Sequence, residues 1–167
     1  MINPCIAKTQ LQDHALALPP LPAGEKTLDR IEGALWGIAV GDALGYPYEG
    51  KTAPEIAADC PFLPEYRVAA QKEAGQAGMY SDDTQMSLDV ALCLLLRGNV
   101  DPTELLSLAG SYRIRGVGPV VLLALYRFRF GDAWNDCGVY SPYNGGAMRA
   151  MPVGLYHGQD LQALFAD

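Results

Sequence analysis

Apolar residues recur along most of this chain at helical rather than alternating spacing. Thr27 is placed to cap a helix whose stripe is Leu28, Ile31, Leu35, Ile38 and Ala39, running to Leu44 with Gly45 just past its end. A second stripe of Leu88, Ala91, Leu92, Leu95 and Leu96 follows Ser81-Asp82-Asp83-Thr84, which puts Ser81 at the N-cap and both aspartates in the first turn. Asp101-Pro102-Thr103-Glu104 predicts a third start, with Asp as N-cap, Pro at N1 and Glu at N3, and Leu105, Leu106, Leu108, Ala109 and Tyr112 carry that helix to Arg113. Arg115-Gly116-Val117-Gly118 breaks the pattern, and Pro119 opens a further helix over Val120 to Phe130. Asn144 to Gly154 predicts a turn entering a short helix of small residues and methionine, and Gln159 to Asp167 begins another amphipathic one. The fold class expected is therefore all-α.

Between these elements the punctuation is heavy. Residues 51–78 carry Pro54, Pro61, Pro64, Gly75 and Gly78 and predict a long irregular connection, and Gly131 to Tyr143 predicts another loop. Residues 1–26 hold Leu18-Pro19-Pro20-Leu21-Pro22, which no helix can traverse, so they form a proline-rich arm ahead of one domain over 27–167. Inside the first helix, Gly33, Gly37, Gly41 and Gly45 recur every four residues. Each interior glycine costs roughly 0.8–1 kcal/mol against alanine, which predicts another backbone packed close to that face. Asp42, at the negative end of the same helix, invites a cation or a hydrogen-bond donor.

Composition narrows the picture. Leu and Ala number 22 each against 20 for Val, Ile and Thr together, a balance that favours helix over strand. The net charge of −7 argues against nucleic acid as a partner, since phosphates call for clustered Lys and Arg. Cys5, Cys60, Cys93 and Cys137 match no zinc spacing and are expected as reduced structural thiols. No basic segment precedes an apolar one at the N-terminus, and no aliphatic run approaches the ~20 residues of a membrane span, so neither membrane nor export is indicated and the cytoplasm is the default.

The candidate chemistry lies at the breaks. Ser81, Asp82 and Asp83 satisfy a helix cap, worth about 0.3–1 kcal/mol per acidic residue, and the same all-oxygen set suits Mg²⁺ or Mn²⁺. Glu49 projects from the Pro47- and Gly50-bounded loop, where a carboxylate is either solvated or catalytic. Gly116, Val117 and Gly118 precede a helix N-terminus with Arg113 and Arg115 nearby, an arrangement that serves either as a plain turn or as a phosphate cradle.

As an ordered set, Gly41-Asp42-Ala43-Leu44-Gly45 with Glu49, Ser81-Asp82-Asp83-Thr84-Gln85-Met86, Gly116-Val117-Gly118 and Asn144-Gly145-Gly146-Ala147-Met148-Arg149 through Pro152-Val153-Gly154 resembles the ADP-ribosylglycohydrolase family, of the dinitrogenase-reductase-activating glycohydrolase type. The resemblance covers residues 28–156. It implies an all-α domain with a two-Mg²⁺ cleft in which Ser81, Asp82 and Asp83 bind metal and Gly116, Val117 and Gly118 lie against the diphosphate of ADP-ribose. Asn144, Gly145, Gly146 and Met148 then border the ribose, and Glu49 matches the catalytic or gating glutamate at the entrance. Ser81 stands where the family more often has threonine. One departure is larger: the family's second metal cluster, D-x-D-S/T, is absent, and after Asn144 the only acidic residues are Asp160 and Asp167. The chain thus looks like the N-terminal half of a family domain, to be completed by a C-terminal half or a homo-oligomer.

The activity implied is Mg²⁺-dependent hydrolysis of the glycosidic bond joining ADP-ribose to a protein side chain or small acceptor. Two rivals remain: a non-catalytic ADP-ribose-binding or protein-inhibiting (immunity-like) module, and a helical fragment whose acidic turn is only a cap.

Overall fold

A computed structural model describes residues 25–59, 65–68, 76–158, 160 and 162. The proline-rich arm up to residue 24 and most of the terminal helix expected over 159–167 lie outside them. Every regular element among the described residues is a helix, and they contain no strand. In chain order the helices are α1 Glu25–Gly45, α2 Ala53–Asp59, α3 Asp82–Arg97, α4 Pro102–Ala109, α5 Pro119–Arg129, the single turn α6 Trp134–Cys137, and α7 Met151–His157, with 3₁₀ turns at Tyr46–Tyr48 and Ala147–Arg149.

Helix α3 is the centre of the arrangement, packing against α1, α4, α7 and the Ala147–Arg149 turn. Ser81 caps it by accepting from the Asp83 N–H at 3.3 Å, and Gly98 ends it in the left-handed region at φ +78°, as a C-terminal glycine should. The face it buries is Met86, Val90, Cys93 and Leu94. The stripe expected from the sequence is the other one, and Leu88 and Leu95 on it are 49% and 47% exposed. With apolar residues on both faces, periodicity did not distinguish them. Met86, Ala109 and Ile114 form the buried cluster, and Val117, Val121, Leu125 and Met148 pack on it.

Helix α4 stops at Ala109, short of the expected Arg113: the Gly110 N–H still makes the helical bond to the Leu106 carbonyl, but the Ser111 N–H closes a tighter turn on the Leu108 carbonyl. Helix α2 lies in the stretch expected to be irregular. Thr52 and Glu55 start it, with the Glu55 carboxylate accepting from both the Thr52 N–H and its hydroxyl at 2.7 and 2.6 Å. α6 likewise sits inside the loop expected over 131–143. The close-packed backbone predicted for the glycine stripe of α1 is not found among the described residues. A Cβ built at Gly33, Gly37, Gly41 or Gly45 meets no atom within 4 Å, and Leu28 and Trp36 are exposed. Among the α1 residues whose burial is described, only Ala43, near its C-terminal end, is buried.

Candidate functional site

Asp42 answers the question its helix position raised. Its Oδ2 accepts from the Ser81 and Thr84 N–H groups at 2.9 and 3.0 Å and from the Thr84 hydroxyl at 2.6 Å, and its Oδ1 accepts from the Ser81 hydroxyl at 2.7 Å. One carboxylate from the last turn of α1 therefore brackets the pair Asp82 and Asp83, gripping the residue before and the residue after. Charge-assisted hydrogen bonds of this kind are about twice as strong as neutral ones, so the acidic turn is held in one conformation.

Beyond this turn a cleft of about 470 Å³ opens, walled by Asp82 and Asp83, by Glu49 at its mouth, by Gly116 and Gly118, and by Asn144, Gly145, Gly146 and Met148, with Arg149 among them. Two of the residues singled out by sequence do not line it. Ser81 is wholly buried, its hydroxyl proton given to Asp42 and its oxygen accepting from Asp83, and Val117 packs on the core cluster. Glu49, Asp83, Asn144 and Met148 also border a second lobe of about 640 Å³, walled by Gly37, Gly41 and Gly45 of α1. The glycine stripe thus faces open space continuous with the cleft.

The walls are positioned by identifiable contacts. The one Ser87 hydroxyl proton is shared between the Asp83 carbonyl at 2.6 Å and the Met148 carbonyl at 3.1 Å, linking the 144–149 segment to α3. Gly116 has φ +68°, and a Cβ there would lie 2.8 Å from Cε2 of buried Tyr46, so both conformation and space require glycine. Gly118 is the N-cap of α5, whose first-turn residues Pro119, Val120 and Val121 also line the cleft, directing a helix N-terminus at it. Arg115, expected to lend charge to this loop, instead donates Nε to the Tyr80 carbonyl at 2.7 Å and lies over the Tyr80 ring.

The cation at the cleft is Arg149, the last residue of the element expected to border the ribose but not itself among the expected site residues. Burial pushes its pKa down, and Asp82, Asp89 and Tyr112 oppose that shift. Its Nε donates to the Gly145 carbonyl, tying the Asn144-Gly145-Gly146 turn. The signal was present in its place five residues after Asn144, but a lone arginine does not announce burial. Behind it, burial raises the pKa of Asp89 although the Tyr112 hydroxyl donates to it at 2.5 Å.

Asp82 and Asp83 present carboxylates to the cleft, a chemistry that suits Mg²⁺ or Mn²⁺, whereas the buried Ser81 hydroxyl is engaged, donating to Asp42 and accepting from the Asp83 N–H. Among the described residues, no group of three His, Cys, Asp or Glu side chains is gathered as a complete metal cage. No described helix is long and apolar enough to cross a membrane.

A family model described as ADP-ribosylglycohydrolase matches residues 23–167. An ADP-ribosylarginine hydrolase from Pseudomonas putida is 31% identical over 173 aligned residues, covering 92% of this chain and 42% of that protein. An ADP-ribosyl-[dinitrogen reductase] glycohydrolase from Rhodospirillum rubrum is 30% identical over 146, covering 79% and 46%. An uncharacterized protein from Archaeoglobus fulgidus is 31% identical over 136, covering 77% and 44%. The chain thus spans a little under half the length of these relatives.

Proposed function

Because the chain belongs to the ADP-ribosylglycohydrolase family, we propose that it carries the cation- and nucleotide-facing part of an enzyme that hydrolyses the glycosidic bond between ADP-ribose and a protein side chain or small acceptor. The observation that supports this most is a single cleft walled at once by Asp82, Asp83, Glu49, the Gly116 and Gly118 loop and the Asn144-Gly145-Gly146 turn. In this reading Asp82 and Asp83 hold Mg²⁺, and Ser81 adds its oxygen when the hydroxyl turns toward the cleft. The bound cation supplies polarisation of the ribose hydroxyls and of water.

The chain's own residues do the rest. Gly116, Gly118 and the N-terminus of α5 receive the diphosphate, since backbone N–H groups and a helix dipole favour an anion there. Asn144, Gly145 and Gly146 border the ribose, and Arg149 fixes their turn through the Gly145 carbonyl. Glu49, exposed at the mouth, moves the proton at the anomeric carbon. Binding energy from the remote diphosphate orients the reacting carbon. In the completed enzyme a segment carrying D-x-D-S/T contributes the second acidic cluster.

A second reading is a module that uses the same cleft to bind ADP-ribose without turning it over. One set of measurements separates the two. In an enzyme completed with a D-x-D-S/T segment, Glu49→Gln should lower kcat about 10²–10⁴-fold with ADP-ribose affinity kept. Asp82→Asn with Asp83→Asn should abolish Mg²⁺ binding in calorimetry at a stability cost of about 0.6–2 kcal/mol. Release of no ADP-ribose by the completed protein, with tight ADP-ribose binding, selects the non-catalytic module. Equal Mg²⁺ affinity of parent and double variant removes the cation site.

A further inference from the structure

Gln85 follows the acidic turn on α3 and does not line the cleft. Its amide nevertheless grips two backbone groups of the loop leading to Gly116: Nε2 donates to the Arg113 carbonyl at 3.1 Å, and Oε1 accepts from the Arg115 N–H at 2.8 Å. A carbonyl needs a donor and an N–H needs an acceptor, so a neutral amide in this one orientation satisfies both. A second tie comes from the other flank of the acidic turn, where the Tyr80 carbonyl accepts from Arg115 Nε at 2.7 Å and the Tyr80 ring lies 4.0 Å under the guanidinium. Between the two grips Ile114 is buried in the core cluster, and immediately after them Gly116 takes its left-handed conformation against Tyr46. The residues flanking Ser81-Asp82-Asp83-Thr84, Tyr80 before and Gln85 after, thus hold the loop that delivers Gly116 and Gly118 to the cleft.

We propose that Gln85 is a positioning residue that fixes the glycine loop in register with the Asp82 and Asp83 turn, so that one nucleoside-diphosphate sugar spans both. The inference rests on the diphosphate-facing reading of that loop. A ligand that bridges two segments is sensitive to the distance between them, and a misplacement of about 1 Å at a site costs on the order of 10²-fold in rate. The hydrogen bonds from Gln85 set that distance from a rigid helical turn, independently of the Asp42 contacts that hold the carboxylates.

The test compares Gln85→Leu, which loses both bonds, with Gln85→Glu, which keeps the acceptor for Arg115 and loses the donor to Arg113. ADP-ribose and Mg²⁺ are titrated separately by calorimetry, and exchange of the Arg115 amide is followed by NMR in the ligand-free protein. Gln85→Leu should weaken ADP-ribose about tenfold, the equivalent of one hydrogen bond, leave Mg²⁺ affinity unchanged and accelerate Arg115 exchange. Gln85→Glu should keep the Arg115 amide protected and recover part of the ADP-ribose affinity. Parallel loss of both affinities in Gln85→Leu, or undiminished ADP-ribose affinity with a deprotected Arg115 amide, overturns the proposal. If the parent protein binds no ADP-ribose, the diphosphate reading fails by itself. Positioning is then decided by the Arg115 amide, and unchanged exchange in Gln85→Leu overturns it.

Discussion

At the scale of single residues, the site depends on groups that hold its other side chains in place. Asp42 is the clearest case, since four donors from the start of α3 converge on its carboxylate. Asp42→Ala should cost about 2–3 kcal/mol in urea denaturation, because it leaves part-buried donors, the first-turn Thr84 N–H among them, without an acceptor. A loss below that of an ordinary surface change would mean that water replaces the carboxylate. Asp89 makes the opposite contribution. Its folded pKa lies above the ordinary carboxylate value of 3.8, chiefly through burial, so the folded state holds the proton more tightly than the unfolded chain. The resulting penalty is absent at pH below that value and grows as pH rises through the folded pKa. Asp89→Asn, which keeps an acceptor for Tyr112, should therefore gain in Tm relative to the parent between pH 4 and pH 7. A Tm difference that is flat or falling over that range would show that Arg149 outweighs burial.

At the scale of elements, each wall of the cleft is a loop end fixed by a helix. The Gly116 turn is the most constrained, with φ at +68° and the Tyr46 ring where a side chain would start. Gly116→Ala should destabilise the protein by about 1–3 kcal/mol and weaken ADP-ribose, because the backbone must leave the left-handed region or displace a buried tyrosine. Denaturation and calorimetry on one sample check both effects, and full stability with normal affinity would show that the loop relaxes without cost. Helix α3 is the frame for all of this. It carries Asp82 and Asp83 on the cleft, Ser87 against the 144–149 segment and Gln85 against the loop before Gly116.

At the scale of the molecule, apolar surface is left outside. Trp36 on α1, Leu88 and Leu95 on α3, and Leu122 and Tyr126 on α5 are all exposed, and the glycine stripe of α1 borders an open lobe. Exposed apolar area of this extent drives association. The purified 167-residue chain should sediment with a concentration-dependent mass unless a D-x-D-S/T segment is supplied, and it should release no ADP-ribose from a modified protein by itself. A monodisperse monomer with Mg²⁺-dependent turnover would refute both expectations.

The sequence by itself determined what local chemistry decides. Ser81 as N-cap with Asp82 and Asp83 in the first turn, Asp101 and Pro102 opening α4, and Pro119 opening α5 are all found where the residues predicted them. Capping involves neighbours a few residues apart, so spacing carries that information. The ordered motifs likewise placed the chain in its family. Tertiary structure decided whatever depends on residues distant in sequence. Asp42 meets Ser81 and Thr84 across about 40 positions, Gln85 meets Arg113 and Arg115 across about 30, and Arg149 is part-buried where the charges of Asp82 and Asp89 act on it. It also chose between the two apolar faces of α3 and left the glycine stripe of α1 open. Periodicity states that a face is apolar, whereas which face is covered depends on what the rest of the chain brings against it.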